Sequence, residues 1–99
     1  MNYLSPVEFE WNTNKSDECY ADRGFDFAYA TRAFLDPGRT VSLDTRWDYG
    51  EERYILRGAI DARLFVVVFT YRDTAIRIIS ARKANSREVK EHEKDTGTR

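Results

Sequence analysis

The sequence has little of the residues on which many small enzymes and secreted proteins depend. Its 99 residues include one cysteine, Cys19, and one histidine, His92. A single cysteine excludes an internal disulfide and a metal site made of cysteines alone. A reactive thiol also needs a base close by, and the histidine is 73 positions away. We therefore interpret Cys19 as an inert thiol on a helix and His92 as a solvated side chain.

Long apolar segments and catalytic motifs are missing as well. The longest apolar run, LFVVVF at 64–69, is far shorter than the ~20 residues that cross a bilayer as a helix. The N-terminus, MNYLSPVEFEW, has neither a basic leader nor an apolar signal core. No phosphate-binding glycine loop, HExxH or CxxC pair occurs. These absences predict a cytoplasmic protein without a membrane anchor, a metal or another cofactor.

The length allows one domain only, because a second core would have no residues left to build it. With 41% hydrophobic and 33% charged residues, the chain should form a small globular domain with a large polar surface. We expect a single domain over residues 1–99, with a core from about residue 7 to residue 92 and a flexible tail over 93–99.

Charge is distributed unevenly along the chain, although its net value is only −1. Residues 1–52 contain five basic and eleven acidic side chains, whereas residues 53–90 contain nine basic and three acidic ones, so their net charges are −6 and +6. Such asymmetry predicts a basic surface for an acidic partner, either nucleic acid or protein. Charge alone leaves open the alternative of a dipolar molecule with solvated arginines.

The first 38 residues predict a strand followed by two short helices. VEFEW at 7–11 alternates apolar and acidic residues, as half-buried strands do. The residue at position 12 or 13 can cap a first helix that ends at Gly24. Asp26 can cap a second helix, which ends at the DPG turn of 36–38. The apolar stripe of this second helix consists of Phe27, Ala30, Ala33 and Phe34.

The remaining residues predict paired strands and a last helix. A polar loop over 39–52 contains a short edge strand near 41–43. Three apolar segments follow at 53–60, 64–71 and 75–82. Their short connections require antiparallel neighbours, with the doubly apolar middle strand at the centre. Asn85 and Glu88 form a capping-box pattern that opens the last helix. The predicted fold class is α+β: a strand and two short helices, then a three-stranded antiparallel meander and a C-terminal helix.

Cations are concentrated on the predicted strands and beside them. They are Arg53, Arg57, Arg72, Arg77, Arg82 and Lys83. Cations this close together are costly unless an anion or a carboxylate meets them. Side chains an odd number of positions apart, such as Arg77 and Arg82, face opposite sides of a regular strand. We therefore expect either a bend in the strand near Ser80 or a place for Arg82 in the strand-to-helix turn.

This group of cations suits phosphodiester chemistry. Guanidinium groups bind phosphate through two hydrogen bonds and stabilise the charge that grows on its oxygens, without a metal. In RNA the 2′-hydroxyl can be the nucleophile, and Glu52 is a candidate base, while the general acid is left open. Aromatic rings can stack the bases of a single strand. The candidate rings, which can equally belong to the core or to the ordinary surface, are Trp47, Tyr49, Tyr54 and Tyr71.

The order of several motifs resembles the BrnT family of bacterial type II toxins. The matching residues are VEFEW with Lys15, then Gly24, Phe27 and Ala30, then AFLDP, EERYILRG, LFVVVFTYR and IRIISARKANSRE, within residues 7–92. The resemblance implies a RelE-like fold and a small ribonuclease that cleaves RNA, inhibits translation and arrests growth. It also implies a BrnA-like antitoxin with a ribbon-helix-helix domain as partner, so that the toxin contacts DNA only through the antitoxin.

The resemblance also implies which residues form the site. The recurrent polar positions of the family correspond to Glu52, Arg53, Arg72, Arg77, Ser80, Arg82, Lys83 and Glu88. The catalytic residues are expected to be Glu52, Arg53, Arg72, Arg77 and Arg82. The RNA-binding residues are expected to be Arg23, Arg57 and Lys83, with no metal ligand.

The first and last helices depart from the family pattern. The family commonly has asparagine in the first helix and Lys-His-Gly at its end, where this chain has Cys19 and Asp22-Arg23-Gly24, and His92 stands where tyrosine is common. Lysine and histidine carry protons well, whereas a guanidinium does so poorly. The alternative function is therefore a catalytically weakened binding module that acts through its antitoxin in a transcriptional repressor complex. A free-standing RNA-binding domain would fit the charges but not the order of the motifs.

Overall fold

The computed structural model describes residues 8–96, which form a five-stranded sheet with helices on both faces. In chain order the elements are β1 (Glu8–Trp11), α1 (Thr13–Arg23), α2 (Phe27–Ala30), a 3-10 helix (Thr31–Leu35), β2 (Thr40–Leu43), β3 (Tyr54–Ile60), β4 (Arg63–Arg72), β5 (Ala75–Lys83) and α3 (Ser86–Thr96). The order of strands across the sheet is β1-β5-β4-β3-β2. No helix in this part of the chain is long and apolar enough to span a membrane.

The sheet confirms the α+β class and the antiparallel meander of β3, β4 and β5, with the apolar β4 at its centre. The predicted edge strand near 41–43 is confirmed as β2, which pairs antiparallel with β3. The predicted first strand is β1, and its parallel pairing with β5 makes the sheet five-stranded, whereas only the three-stranded meander was predicted as a sheet. Phe9 lies opposite Ile76 and Trp11 opposite Ile78, and no local pattern specifies a pairing so distant in sequence. Residue 7, expected in the first strand, lies outside the described residues.

Side-chain caps place the helix ends where the sequence predicts them. The Asn12 side chain accepts a hydrogen bond from the Lys15 N–H at 3.0 Å, and Gly24 ends α1 with a left-handed φ of 85°. Asp26 accepts a hydrogen bond from the Tyr29 N–H at 2.9 Å and so begins α2. The predicted second helix is α-helical for one turn only and continues as the 3-10 helix.

The main core lies between the first helices and one face of the sheet, which we call the helix face. Its buried side chains include Phe27, Ala30, Ala33, Leu56, Phe65, Val67, Phe69 and Ile78. The backbones approach closely here, since a Cβ added to Gly58 of β3 would lie 2.4 Å from the Ala33 carbonyl oxygen. Glycine therefore allows the 3-10 helix to lie directly on β3.

The opposite face of the sheet is covered at one end by α3. Val89, the only strong hydrophobe of this helix, packs in a small second core. The buried residues of this core are Leu64, Val66 and Ala84. The predicted capping box is confirmed: Asn85 Oδ1 accepts from the Glu88 N–H at 2.8 Å, and Glu88 Oε1 accepts from the Asn85 N–H at 2.9 Å. Residues 93–96, expected in the tail, continue this helix, and 97–99 lie outside the described residues.

Candidate functional site

A β-bulge in β5 places Arg77 and Arg82 on the same face of the sheet. On β4, the neighbours Val68 and Phe69 pair with Ser80 and Ile78, so that the residue between these two partners has no partner of its own. The extra residue reverses the alternation of side chains along the strand. Of the two predicted alternatives, a bend near Ser80 and a place for Arg82 in the strand-to-helix turn, the structure has the first, and both arginines point away from the helix face.

Strand alternation brings further arginines to this side, which we call the arginine face. Arg57 and Arg82 lie on either side of Val66 in one row of paired residues, and Arg77 lies opposite Thr70 in another. The members of the arginine face are Arg46, Arg53, Arg57, Arg72, Arg77 and Arg82. The main core occupies the helix face. On the opposite face the second core covers one end only, and the six arginines occupy the rest of that face.

The centre of the arginine face is a groove of about 210 Å³ beside α3, which we call the arginine groove. Its lining residues are Arg46, Ile55, Arg57, Val66, Val68, Ser80, Arg82 and Glu88. Three guanidinium groups thus surround an apolar floor with one hydroxyl and one carboxylate. A groove of this kind suits an anion that also presents an apolar surface, such as a nucleotide phosphate with its sugar and base.

Among residues 8–96, Glu88 is the only carboxylate that lines the arginine groove. Its two oxygens accept hydrogen bonds from both terminal nitrogens of Arg82, at 2.8 and 2.7 Å. This bidentate bond, with help from the Asn85 N–H, lowers the pKa of Glu88 to about 2 although partial burial opposes the shift. The carboxylate is therefore ionised and orients Arg82 across the groove. Arg57, by contrast, has no carboxylate within 4.0 Å among residues 8–96 and donates to Ser42 Oγ at 3.3 Å.

Arg46 is a site residue that the sequence prediction missed. It is held by Asp44, a fully buried carboxylate that accepts from Arg46 Nε at 2.8 Å and from Arg46 Nη2 at 2.7 Å. Tyr49 donates its hydroxyl to the same carboxylate at 3.1 Å. The Arg46 hydrogen bonds hold the pKa of Asp44 well below its usual range, against the effect of burial. The sequence signal for this pair was an acidic residue followed two positions later by a basic one in a polar loop. Many solvated loops contain the same pattern.

The other predicted arginines of this face form two separate ion-pair groups. Glu51 bridges Arg53 at 3.1 Å and Arg72 at 3.3 Å, and the Arg53 guanidinium lies 4.2 Å from the centre of the Tyr49 ring. Arg77 pairs with Glu10 at 3.0 Å, across the contact between β5 and β1. The acidic first half of the chain thus supplies carboxylates to the basic second half, and the surface is less positive than the segment charge of +6 suggests.

Of the eight predicted site residues, only Arg57 and Arg82 line the arginine groove. Besides the three arginines of the ion-pair groups, three further predicted residues lie outside it. Glu52 is exposed and accepts from the Tyr54 hydroxyl at 3.0 Å, which raises the pKa of that phenol. Lys83 lies on the helix face, opposite Phe65. Arg23, at the end of α1, lines a separate hollow of about 170 Å³ that also touches Arg82. Arg23 therefore lies in a hollow that adjoins the arginine groove at Arg82. The side chains of Glu52 and Lys83 do not point toward the groove.

The predicted stacking rings have different surroundings. Tyr49 lies under Arg53, and Tyr54 packs on the buried Phe69 of the helix face. Tyr71 is exposed but also contacts Phe69 on that face. Trp47, which follows Arg46 in the chain, is 74% exposed. Of the four rings, Trp47 is the most exposed, but it does not line the arginine groove.

Cys19 and His92 do not reach this groove either. Cys19 is buried, its thiol donates weakly to the Ala81 carbonyl at 3.6 Å, and burial raises its pKa, so the prediction of an unreactive thiol is supported. His92 is half-buried, which corrects the predicted solvated position, and its Nδ1 lies 3.5 Å from Thr40 Oγ1. Within residues 8–96 no three His, Cys, Asp or Glu side chains cluster as a metal site requires.

Comparison with known proteins assigns the family. A family model described as the ribonuclease toxin BrnT of type II toxin-antitoxin systems matches residues 11–88, which include every member of the arginine face and Glu88. Comparison with curated proteins gives no match. The family match spans most of the chain and agrees with the resemblance seen in the sequence motifs. The chain belongs to the BrnT family of ribonuclease toxins, whose members act in type II toxin-antitoxin systems.

Proposed function

We propose that the protein is a metal-independent endoribonuclease that binds the scissile phosphate of RNA in the arginine groove, and that RNA cleavage inhibits translation and growth. The observation that carries this proposal is the convergence of Arg46, Arg57 and Arg82 on one groove. Arg57 has no carboxylate within 4.0 Å among the described residues, and Arg46 and Arg82 are held in place by theirs. Preorganised guanidinium groups favour the charge that develops on a phosphate during displacement.

In the proposed reaction the 2′-oxygen of RNA attacks the neighbouring phosphorus, and the bond from phosphorus to the 5′-oxygen breaks. The 2′-hydroxyl gives its proton to a base, and the leaving 5′-oxygen takes up a proton, so the products are a 2′,3′-cyclic phosphate and a 5′-hydroxyl. Glu88 is the carboxylate nearest to this chemistry. When a phosphate displaces Glu88 as the hydrogen-bond partner of Arg82, the main cause of the lowered pKa of Glu88 is removed. The Glu88 carboxylate then becomes a better base.

Glu52, the base expected from the sequence, remains the alternative. Its exposed side chain lies next to Arg53 in the chain but is hydrogen-bonded to Tyr54. If Glu88 is the base, Glu88→Gln lowers the maximal cleavage rate by ~100-fold, within the range for general bases, while Glu52→Gln has little effect. The reverse pattern would assign the base to Glu52.

The partner that we propose is a BrnA-like ribbon-helix-helix antitoxin encoded beside the toxin, through which the complex binds DNA. The arginine face already accommodates carboxylates from Glu10, Glu51 and Glu88. Acidic side chains of an antitoxin can replace these and cover the arginine groove, so inhibition would be by occlusion. A complex that leaves the arginine face open to solvent would contradict this mode of inhibition.

A second candidate function is a binding module that has lost ribonuclease activity. It is favoured by the carboxylate contacts of five of the six arginines and by Asp22, which places a carboxylate in the hollow beside Arg82. This candidate predicts tight antitoxin binding without RNA cleavage at any protein concentration tested.

The two candidates are separated by incubating the purified protein with a labelled single-stranded RNA in the presence of EDTA. We expect cleavage to 2′,3′-cyclic phosphate ends, reduced by at least ~100-fold in Arg57→Ala/Arg82→Ala. The control Arg87→Ala/Lys90→Ala removes the same charge from exposed positions of α3 that do not line the groove. Equal cleavage by wild type and the groove variant would reject the proposed site, and a folded but inactive wild type would favour the binding module.

A further inference from the structure

The helix face carries a groove at the end away from α1 that no element within residues 8–96 fills, and we call it the apolar groove. It has a volume of about 370 Å³. Its lining residues are Phe9, Thr31, Arg32, Phe34, Leu35, Arg39, Val41, Leu56, Phe69, Tyr71 and Ile76. Leu35, Val41 and Tyr71 are 80%, 50% and 61% exposed, so three large apolar side chains of this groove face solvent. Adjacent exposed apolar side chains on a small protein indicate an interaction surface.

The groove exists because the helices cover only part of the helix face. α1 and α2 pack near Phe65 and Ala81, toward one end of the central strands. At the other end, among residues 8–96, the 3-10 helix is the element that lies on the sheet, and its Phe34 ring packs on the buried Phe69 with 5.1 Å between ring centres. Val41 lies opposite Leu56 in the pairing of β2 with β3. The apolar surface therefore continues to the edge strand of the sheet.

The charges that line this groove have one sign. Among the described residues that line it, Arg32 and Arg39 are the charged ones and none is a carboxylate. Arg32 pairs with Asp61 at 3.2 Å in an exposed contact, and Arg39 donates to the Asp36 carbonyl at 3.1 Å. Both guanidinium groups retain free donors toward solvent. A complementary partner therefore combines apolar side chains with acidic ones beside them.

We infer that the apolar groove is the docking site of an acidic amphipathic segment of the antitoxin, on the face of the sheet opposite the RNA site. The inference rests on the proposed function only for the identity of the partner, since the groove itself contains none of the arginines assigned to RNA. A second copy of this chain fits less well, because a two-fold contact between identical grooves would bring Arg32 and Arg39 of both copies together.

This placement gives the antitoxin two distinct contacts. The segment in the apolar groove supplies affinity through buried leucine-like side chains, and another part reaches the arginine face around the open edge of β2. Neutralisation of the toxin therefore depends on residues that never contact RNA.

The test measures binding of the purified antitoxin to the full chain by calorimetry. The variant Leu35→Glu/Val41→Glu places negative charge at two exposed groove positions, and we expect its Kd to rise by ~30-fold or more. The control is Tyr20→Glu, which places the same kind of charge on a large exposed side chain of α1 outside the apolar groove. Tyr20 is 62% exposed. Thermal unfolding of each variant verifies that it is folded.

The outcomes distinguish this inference from the ribonuclease proposal. An unchanged Kd for Leu35→Glu/Val41→Glu overturns the docking site, and so does a wild type that does not bind the antitoxin. Self-association of the free wild type that the same variant abolishes would assign the groove to a second copy and also overturn the inference. RNA cleavage is measured separately, on wild type without antitoxin. A failure of the ribonuclease proposal therefore appears in the cleavage assay and not in the binding assay.

A synthetic helix provides an independent probe of the charge argument. A peptide of about 18 residues with leucines along one side and glutamates beside them should bind the wild type and compete with the antitoxin. The same peptide with lysines in place of the glutamates should bind at least ~10-fold more weakly. Equal binding of the two peptides would contradict the assigned role of Arg32 and Arg39.

Discussion

Arg77 and Arg82 lie five positions apart on one strand, yet both point to the same face of the sheet. The bulge between Ile78 and Ser80 causes this, because it adds one residue opposite the step from Val68 to Phe69. Without it, Arg82 would point into the helix-face core beside Cys19, where an uncompensated charge is costly. The bulge thus builds the arginine groove and keeps the core apolar at the same time.

Arg82→Lys keeps the positive charge but removes the fork that contacts both oxygens of Glu88. We expect this variant to cleave RNA at least ~10-fold more slowly, since an ammonium group cannot bind a phosphate or a carboxylate through two parallel hydrogen bonds. Single-turnover cleavage of a labelled RNA measures the effect, with Arg87→Lys on the exposed side of α3 as the control. An Arg82→Lys rate equal to that of wild type would show that charge alone suffices.

The contact between Arg82 and Glu88 makes stability depend on pH. Because the pKa of Glu88 falls from 4.5 to about 2 in the folded protein, the contact stabilises the fold fully above pH 4.5 and is lost as the pH falls toward 2. Glu88→Gln should lower the free energy of unfolding by about 1–2 kcal/mol at pH 7, with a smaller loss at pH 3.

Urea denaturation of wild type and Glu88→Gln at the two pH values measures this difference. The control is Glu91→Gln, at an exposed position on the same helix. A loss for Glu88→Gln that is the same at pH 7 and pH 3 would contradict the assigned role of the ionised carboxylate.

Gly58→Ala should be strongly destabilising. The new methyl group would lie 2.4 Å from the Ala33 carbonyl oxygen, and backbone on both sides must move to accept it. We expect a loss of at least ~2 kcal/mol, as for other overpacked positions. Gly38→Ala is the matched control, because its nearest contact would be 3.5 Å from Asp36. Similar unfolding midpoints for the two variants would show that the 3-10 helix moves away from β3 at little cost.

The sequence predicted those parts of the fold that local chemistry determines. The caps at Asn12, Gly24 and Asp26 lie where expected, and so does the capping box of Asn85 with Glu88. Each of these depends on a side chain and backbone groups only a few residues away. The pairing of β1 with β5 depends instead on residues almost 70 positions apart, and no local pattern contains it.

The site was predictable in its residue types but not in its arrangement. The arginines were found by their concentration on strands, and the odd spacing of Arg77 and Arg82 indicated a bend as one of two alternatives. No glycine or proline near Ile79 favours the bulge over the other alternative, so the sequence could not decide between them. Arg46 was missed because its significance comes from the burial of Asp44, which a sequence does not show. Glu10 and Glu51 were missed as partners of Arg77 and Arg72 because they reach these two arginines through tertiary contacts.

The most direct test of the ribonuclease assignment is inducible expression in bacteria without antitoxin, followed by measurement of growth and of total RNA integrity. Wild type is compared with Arg77→Ala/Arg82→Ala and with the control Arg87→Ala/Lys90→Ala, all at matched soluble protein levels. We predict growth arrest and RNA loss with wild type and the control but not with Arg77→Ala/Arg82→Ala. Arrest that persists in Arg77→Ala/Arg82→Ala, or intact RNA in cells that contain folded wild type, would contradict the assignment of RNA cleavage to the arginine face.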